Sequence, residues 1–405
     1  MANHQPKILI AGGGIGGLAA ALALSRHGRP AHVLERAPQF AEIGAGLQLA
    51  PNATGMLHHL GILDRVLQHA VRPRRLIMRD AFSADRITEL DVGPAFLAHF
   101  GYPYIVMHRA DLLDAEYQAC AASDLITLEV NRDVVAVEDT GPYVRVTCAD
   151  GATYECDALV GADGLWSTTR RLLDDSPPIC AESVAYRATV PFDDLPADVD
   201  LDAMTIWVGP NVHFVQYVVR PGELLNQVAV FRSDRYRPEG TPPRRSGRQG
   251  HETPDDDWGG PDELDARFAN ACAEVQSGLE RINRDRRWAM FDRLPLPAWT
   301  RGRVTLLGDA AHPMLQYAAQ GACQALEDAV CLGECVAACT DPREAFAAYE
   351  RRRLARATRV QHAARFLGEL FHASGAQAAH WKGLLGRRAP DDFGYFDWLY
   401  GGVAG

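Results

Sequence analysis

The spacing of apolar positions divides the chain into stretches of two kinds. Residues 7–11 (KILIA) are a short β-rich run, which predicts a strand. A small-residue helical pattern runs from Leu18 to His27, Gly28 ends it, and residues 31–34 (AHVL) predict the next strand. Residues 53–67 place Met56, Leu57, Leu60 and Leu63 on one helical face, and residues 104–107 predict a strand leading into a helix that ends near Ala122. Short strands are expected at 125–129, 134–137 and 144–148, with a hairpin signal at Asp150-Gly151, and a buried strand at 158–161. From Ser183 to Phe231 the period becomes two. Strands at 184–190, 204–208, 213–219 and 225–231 follow one another without a helix, which predicts an antiparallel meander, and the strand pair at 76–90 is assigned to the same domain. A helix at about 262–275 brings the chain back, a strand at 304–307 follows, and residues 344–370 form a long helix. The pattern as a whole is that of an α/β domain with an inserted, mostly antiparallel β-sheet domain and a C-terminal helical segment.

Composition narrows the function more than the fold. A chain of 405 residues is long enough for two domains, and 47% hydrophobic with 23% charged residues is ordinary globular usage. The formal net charge of −11 leaves no excess of cations to replace counterions, so nucleic-acid binding is not expected. The longest small-apolar run, 11–24, is glycine-rich and shorter than a membrane span, and it has no signal-peptide pattern, so a cytoplasmic protein is expected. The nine cysteines are scattered; only Cys331, Cys335 and Cys339 recur on one helix face, either as small apolar packing or as a metal or redox stripe. With no histidine nearby, packing is the simpler account and no metal site is assigned. The polar stretch 232–257 reads as a mobile insertion, and the arginines at 351, 352, 353, 356 and 359 as a solvated, partly ion-paired helix face.

Two places in the chain are built to hold something anionic. The first is Gly12-Gly13-Gly14-Ile15-Gly16-Gly17, a G-x-G-x-x-G sequence between a strand and a helix, with Glu35 eighteen residues past Gly17. Gly12 allows the turn, Gly14 lets backbone approach a pyrophosphate, Gly17 lets helix and strand pack closely, and Glu35 can accept hydrogen bonds from a ribose. The second is GDAAHPMLQYAAQGA at 308–322, where a strand runs through small residues and Pro313 into a helix that begins at Gly321. The glycine-rich segment 42–52 (EIGAGLQLAPN) suits a loop covering a ligand. Only one dinucleotide unit is present, and no dehydrogenase apparatus, P-loop, nucleophile elbow or metal-ligand spacing accompanies it. A cofactor that carries its own chemistry fits better, and FAD is the candidate.

The three motifs G-x-G-x-x-G at 12–17, D-G-x-x-S-x-x-R at 163–170 and GDAAHP at 308–313 stand in the order and spacing of the aromatic-ring flavoprotein monooxygenases related to p-hydroxybenzoate hydroxylase, and the chain resembles that class A, single-component family over its whole length. Segments 211–217 (NVHFVQY), 225–231, 258–264, 314–328 and 396–401 are similar to the 3-hydroxybenzoate 6-hydroxylases within it, with 232–257 extra. The resemblance implies a Rossmann-like FAD-binding domain (1–75, 100–182, 276–343), a substrate domain (76–99, 183–275) and a C-terminal helical segment (344–405). It further implies that Gly16, Glu35 and Arg36 hold the ADP half of FAD, that Arg109 and Asp309 reach its flavin and ribityl parts, and that Gly321 and Ala322 offer backbone N–H groups to the ring. Asp163 and Arg170 are implied in FAD and NAD(P)H binding together.

On the 213–219 strand, His213, Val215 and Tyr217 share one face. Taken alone they suit a satisfied core histidine beside a packed tyrosine as well as a binding surface; the resemblance places them in the substrate site, with His213 as base and Gln316 and Tyr104 beside them. His312 belongs to the GDAAHP motif and is expected to fix its loop. The implied reaction takes NADH (or NADPH) and O₂, passes through a flavin C4a-hydroperoxide, and converts 3-hydroxybenzoate, a small aromatic carboxylate, to 2,5-dihydroxybenzoate. Salicylate 1-hydroxylase and 6-hydroxynicotinate 3-monooxygenase share the motifs, and an FAD-binding protein without hydroxylase activity is the alternative of another class. The aromatic end, 391–400, packs on its own domain or forms a homodimer contact.

Overall fold

The computed structural model describes residues 7–40, 45–195, 199–237 and 258–401. Its first sheet is centred on Ile8–Ala11, with Ala31–Leu34 parallel on one side and Ala158–Gly161 parallel on the other. Ile126–Glu129 and Val304–Leu306 extend the parallel order outward, and antiparallel Thr300–Arg301 forms one edge. The two central strands, Ile8–Ala11 and Ala158–Gly161, are apolar and buried at every position because both faces are covered. Ile8, Ile10 and Val33 pack into a core with the helices, whereas Leu9, Ala11, Leu34 and Leu159 pack against Val144 and Val146 of a three-stranded antiparallel sheet. The helices Ile15–Arg26 and Gly321–Ala338 lie so close that a Cβ on Gly333 would come within 2.9 Å of that of Ala23.

The second sheet has seven strands in the order Trp288–Asp292, Ile179–Pro191, Leu224–Arg232, Val212–Arg220, Ala203–Gly209, Arg75–Asp80, Arg86–Asp91. The sequence pattern marks six of these seven strands, including the pair expected at 76–90, but the simple meander does not hold. Ile179–Pro191 pairs with Leu224–Arg232, while Ala203–Gly209 takes Arg75–Asp80 as a parallel neighbour. Alternation fixes which residues share a face and leaves the choice of neighbour open. Trp288–Asp292 also joins this sheet, which therefore extends past residue 275, where the sequence pattern ends it. One face buries Tyr186, Trp207, Phe214 and Phe231 against the helix Pro261–Phe268.

Three further expectations are revised. The helix expected at 53–67 is two helices, Pro51–His59 and Leu63–Leu67, because Gly61 turns the chain at φ +73°. The helix expected at 262–275 likewise breaks into Pro261–Phe268 and Ala273–Leu279. Within 42–52, Gly46–Leu49 is a strand paired with Ile105–His108, and residues 42–44 lie outside the described residues. Of the expected insertion, 238–257 likewise lies outside them.

The helix Pro342–Phe371 carries the arginines, but its face is not wholly solvated. Arg353 is buried, bonded to Glu327 and, at 2.8 Å, to Asp328. Arg356 joins Glu327 and also donates to the carbonyls of Trp398 and Leu399, both at 2.8 Å, which ties the C-terminal segment down. Phe393 and Tyr400 are buried there against Phe96 of the same chain. Among the described residues no helix is long and apolar enough to cross a membrane, all nine cysteines are unpaired, and no group of side chains has the spacing of a metal site.

Candidate active site

The carboxyl ends of four parallel strands open into one cavity of about 1400 Å³, whose far wall is the second face of the seven-stranded sheet. Sites in parallel α/β sheets form at this end of the strands. The volume exceeds the 300–1,000 Å³ typical of a single small-ligand pocket and leaves room for a dinucleotide and a second small molecule, roughly speaking.

Ala11, Leu34, Ala162 and Leu307 deliver the first wall. The glycines of the first motif divide the labour as their spacing suggests. A Cβ on Gly17 would sit on the carbonyl oxygen of Gly12, and one on Gly12, at φ +109°, on that of Ala162; both positions are packing glycines. A Cβ on Gly14 would meet nothing within 4 Å and would stand in the cavity, and Gly16 lines it too. Glu35 is fixed by accepting from the backbone N–H of Gly13 at 2.7 Å and of Ala37 at 2.8 Å, and Arg36 lies beside it. This glycine cradle, open where a pyrophosphate would pass, fits FAD.

Asp163 lines the cavity, with its carboxylate turned onto its own loop. It accepts from Ser167 Oγ at 2.5 Å and from the N–H groups of Thr168 at 2.8 Å and Thr169 at 3.0 Å. Arg170 departs from the expectation that it meets a cofactor. It is 1% exposed, does not line the cavity, and donates through Nη1 to the carbonyls of Ala310 and Ala311 at 3.1 and 3.0 Å. The second motif thus braces the third.

The third motif forms the floor under the expected flavin. Asp309 faces the cavity, and Gly321 and Ala322 bring the positive end of the eighteen-residue helix Gly321–Ala338 to the same wall. Burial pushes the Asp309 carboxyl above its ordinary pKa, with Arg109, also in the wall, and His312 pulling it back. His312 fixes the loop: it is fully buried, outside the cavity wall, and bonded through Nε2 to Asp328 at 2.5 Å. Asp328 also accepts from Gly308 N–H at 3.1 Å and from Arg353. Burial raises its carboxyl, but His312 and Arg353 outweigh that and hold it below the usual range.

All four expected substrate-site residues line this cavity. Tyr104 donates to Gln48 Oε1 at 2.5 Å, and Tyr217 stands against Gly46, where a Cβ would be 2.7 Å from its hydroxyl oxygen. Burial raises both phenols above the ordinary range, so both are protonated near neutrality. His213 is 2% exposed, and its Nδ1 lies 2.8 Å from His372 Nε2. Burial, then His372, hold its pKa well below the ordinary value, so the ring is neutral. Gln316 accepts from Arg187 Nη2 at 3.1 Å.

Arg187, Gln48, His372 and Asp328 escaped sequence reasoning. Register puts Arg187, Val228, Val215 and Ile206 in one row across the sheet, hence on one face. Among the described residues Arg187 is the one Arg or Lys that this sheet brings to the cavity. Its position in the alternating 184–190 stretch was a usable signal; the contact of His372, 159 residues from His213, had none.

Comparison with known proteins agrees with this geometry. A family model described as an FAD binding domain matches residues 5–364. The chain is 39% identical to 3-hydroxybenzoate 6-hydroxylase 1 of Aquipseudomonas alcaligenes, over 98% of this chain and 97% of that one. It is 37% identical to a 3-hydroxybenzoate 6-hydroxylase of Klebsiella oxytoca, over 98% and 96%. Among solved structures, Klebsiella pneumoniae HpxO complexed with FAD and uric acid superposes with a TM-score of 0.82 at 26% identity, covering 100% of this chain and 99% of that one. A salicylate hydroxylase substrate complex gives 0.78 at 26% identity, covering 98% and 96%.

Proposed function

The chain belongs to the FAD-binding family of flavin-dependent aromatic monooxygenases, and on that premise we propose that it hydroxylates 3-hydroxybenzoate para to its phenol, giving 2,5-dihydroxybenzoate. Bound FAD supplies the redox chemistry, taking a hydride from NADH or NADPH and activating O₂. The residues of the chain hold the ring, set its charge and keep water away.

The observation that carries this reading is the layout of one sheet face. His213 and Tyr217 stand four residues apart on one strand, with Val215 midway between them on the same face. Arg187 stands in the Val215 row across Val228, two strand spacings or about 10 Å away. An apolar floor with an imidazole and a phenol along one strand and a guanidinium across the sheet from them matches a ring bearing a phenol and a carboxylate. Ring hydroxylation requires electron density in the ring, which rises when the phenol loses its proton. Burial keeps the His213 ring uncharged, so it meets the phenol as a proton acceptor. Gln316, bonded to Arg187, covers the pocket from the GDAAHP loop, and Trp398, Leu399 and Tyr400 add the C-terminal wall, which shields the site from water. A cytoplasmic location accords with nine unpaired thiols and a pyridine-nucleotide donor.

The test is to purify the protein, record its flavin spectrum, and follow NADH and NADPH oxidation with 3-hydroxybenzoate, salicylate and 6-hydroxynicotinate. Stimulated oxidation with formation of 2,5-dihydroxybenzoate is expected from the first alone. The reading would be falsified if 3-hydroxybenzoate gave neither.

A further inference from the structure

His213 is sealed inside the protein, so a proton it takes from the substrate needs a way out. Its Nδ1 is held 2.8 Å from Nε2 of His372, which leaves Nε2 as the ring nitrogen available to the cavity. His372 is differently placed. It follows the helix Pro342–Phe371, lies outside the cavity wall and is only partly buried by surface, where His213 is fully buried. Its carbonyl accepts from Asn211 N–H at 3.1 Å, which pins the residue beside the strand that carries His213. The two rings stand 5.1 Å apart, and Tyr317 closes over both, at 5.3 Å from His213 and 5.5 Å from His372.

We propose that His372 is the relay residue through which the proton taken by His213 reaches solvent. Two neutral imidazoles joined nitrogen to nitrogen share one hydrogen, and which ring owns it decides whether His213 can act. When His213 Nδ1–H donates to His372 Nε2, the Nε2 of His213 is bare and can accept the phenol proton. The transfer then moves one proton per step. The phenol O–H breaks and His213 Nε2–H forms; His213 Nδ1–H breaks and His372 Nε2–H forms; His372 Nδ1–H breaks to water. One proton has left the site, both rings are neutral with their tautomers reversed, and reprotonation of the product phenolate along the same path restores them. Among the described residues no carboxylate is bonded to this pair. The groups facing it are Tyr317 from the GDAAHP loop, Arg232 at the end of Leu224–Arg232, and Glu182 of Ile179–Pro191, which is bonded to Arg232 at 3.0 Å. Burial, then the Arg232 charge, bring the His372 pKa down to about 4, which suits a group that passes a proton on rather than keeping it.

This inference rests on the reading of His213 as the base, and two readouts separate the two. The first is kinetic. His372→Gln is expected to lower kcat for hydroxylation at pH 7 at least tenfold, with KM and FAD content within twofold of the parent. Activity should recover toward high pH, where the phenol ionises unaided, and His372→Ala should be rescued by added imidazole. Unchanged kcat and pH profile would overturn the relay, and so would a loss of FAD or of folding as large as the loss of rate. The second uses histidine-labelled protein without turnover. Imidazole nitrogen NMR should show His213 protonated at Nδ1 in the parent and at Nε2 in His372→Ala; Nε2 protonation in the parent would overturn the proposal. Should the parent fail to hydroxylate 3-hydroxybenzoate, the substrate assignment falls and the NMR result still decides the pair.

Discussion

Arg170 donates to the carbonyl of Ala311 at 3.0 Å across 141 residues of sequence, and so fastens the D-G-x-x-S-x-x-R motif to the GDAAHP motif. Its guanidinium also reaches the Ala310 carbonyl and Asp174, at 3.1 and 3.2 Å. Burial lowers its pKa, with Asp174 pulling the other way. The motif arginine therefore braces the loop that carries Asp309 and does not itself line the cavity.

Arg170→Met should destabilise the protein, since each carbonyl left buried without a donor costs about 1–3 kcal/mol. FAD should be lost in proportion. Arg170→Lys should recover little, because an ammonium cannot span two carbonyls and a carboxylate as the planar fork does. Denaturant unfolding with the flavin-to-protein ratio checks this; a stable Met variant lacking FAD would instead place Arg170 directly on the cofactor.

Gly14→Ala and Gly17→Ala separate binding from folding. The added methyl at position 14 enters the open cavity, so the variant should fold with the parent's midpoint and bind FAD at least tenfold more weakly. At position 17 it strikes the Gly12 carbonyl, and soluble expression should fall sharply. Equal FAD affinity in Gly14→Ala would remove the pyrophosphate from this cradle.

Arg187→Met should raise KM for aromatic carboxylates while leaving FAD bound. Removing one partner of a buried charge pair costs at least about 2 kcal/mol, roughly thirtyfold in affinity. The uncharged 3-hydroxybenzamide should lose nothing. An unchanged KM for the acid would move the carboxylate to another cation.

Acid should destabilise the fold through His213 and His372. Both are held neutral by burial, with folded pKa values below the unfolded value of about 6.5. Between those values the unfolded chain binds more protons, so the stabilisation is complete above pH 6.5 and falls as the pH drops toward 4. The His372 shift alone corresponds to about 3 kcal/mol. Urea unfolding from pH 7.5 to 4.5 should show the loss, and His372→Gln should make it shallower. A flat profile would mean that these rings are not buried neutral.

The sequence by itself determined the parts that depend on local chemistry. Glycine at 12 and 17 is required by the close packing of a strand-turn-helix unit, as the structure shows, and Gly14 is left facing the open cavity. Period two marked the strand that carries both His213 and Tyr217, and therefore that the two share a face. It did not determine which strands become neighbours, because alternation is blind to pairing, so the place of Ile179–Pro191 and the approach of Arg187 to the pocket awaited the sheet order. Nor could it find pairs joined only in space. His372 against His213, Asp328 behind His312 and Arg170 on Ala311 are set by how the long helices and loops dock, and docking is decided by packing summed over the whole core. The chain order pointed to the glycine cradle; the tertiary structure alone decided which charges line the cavity beside it.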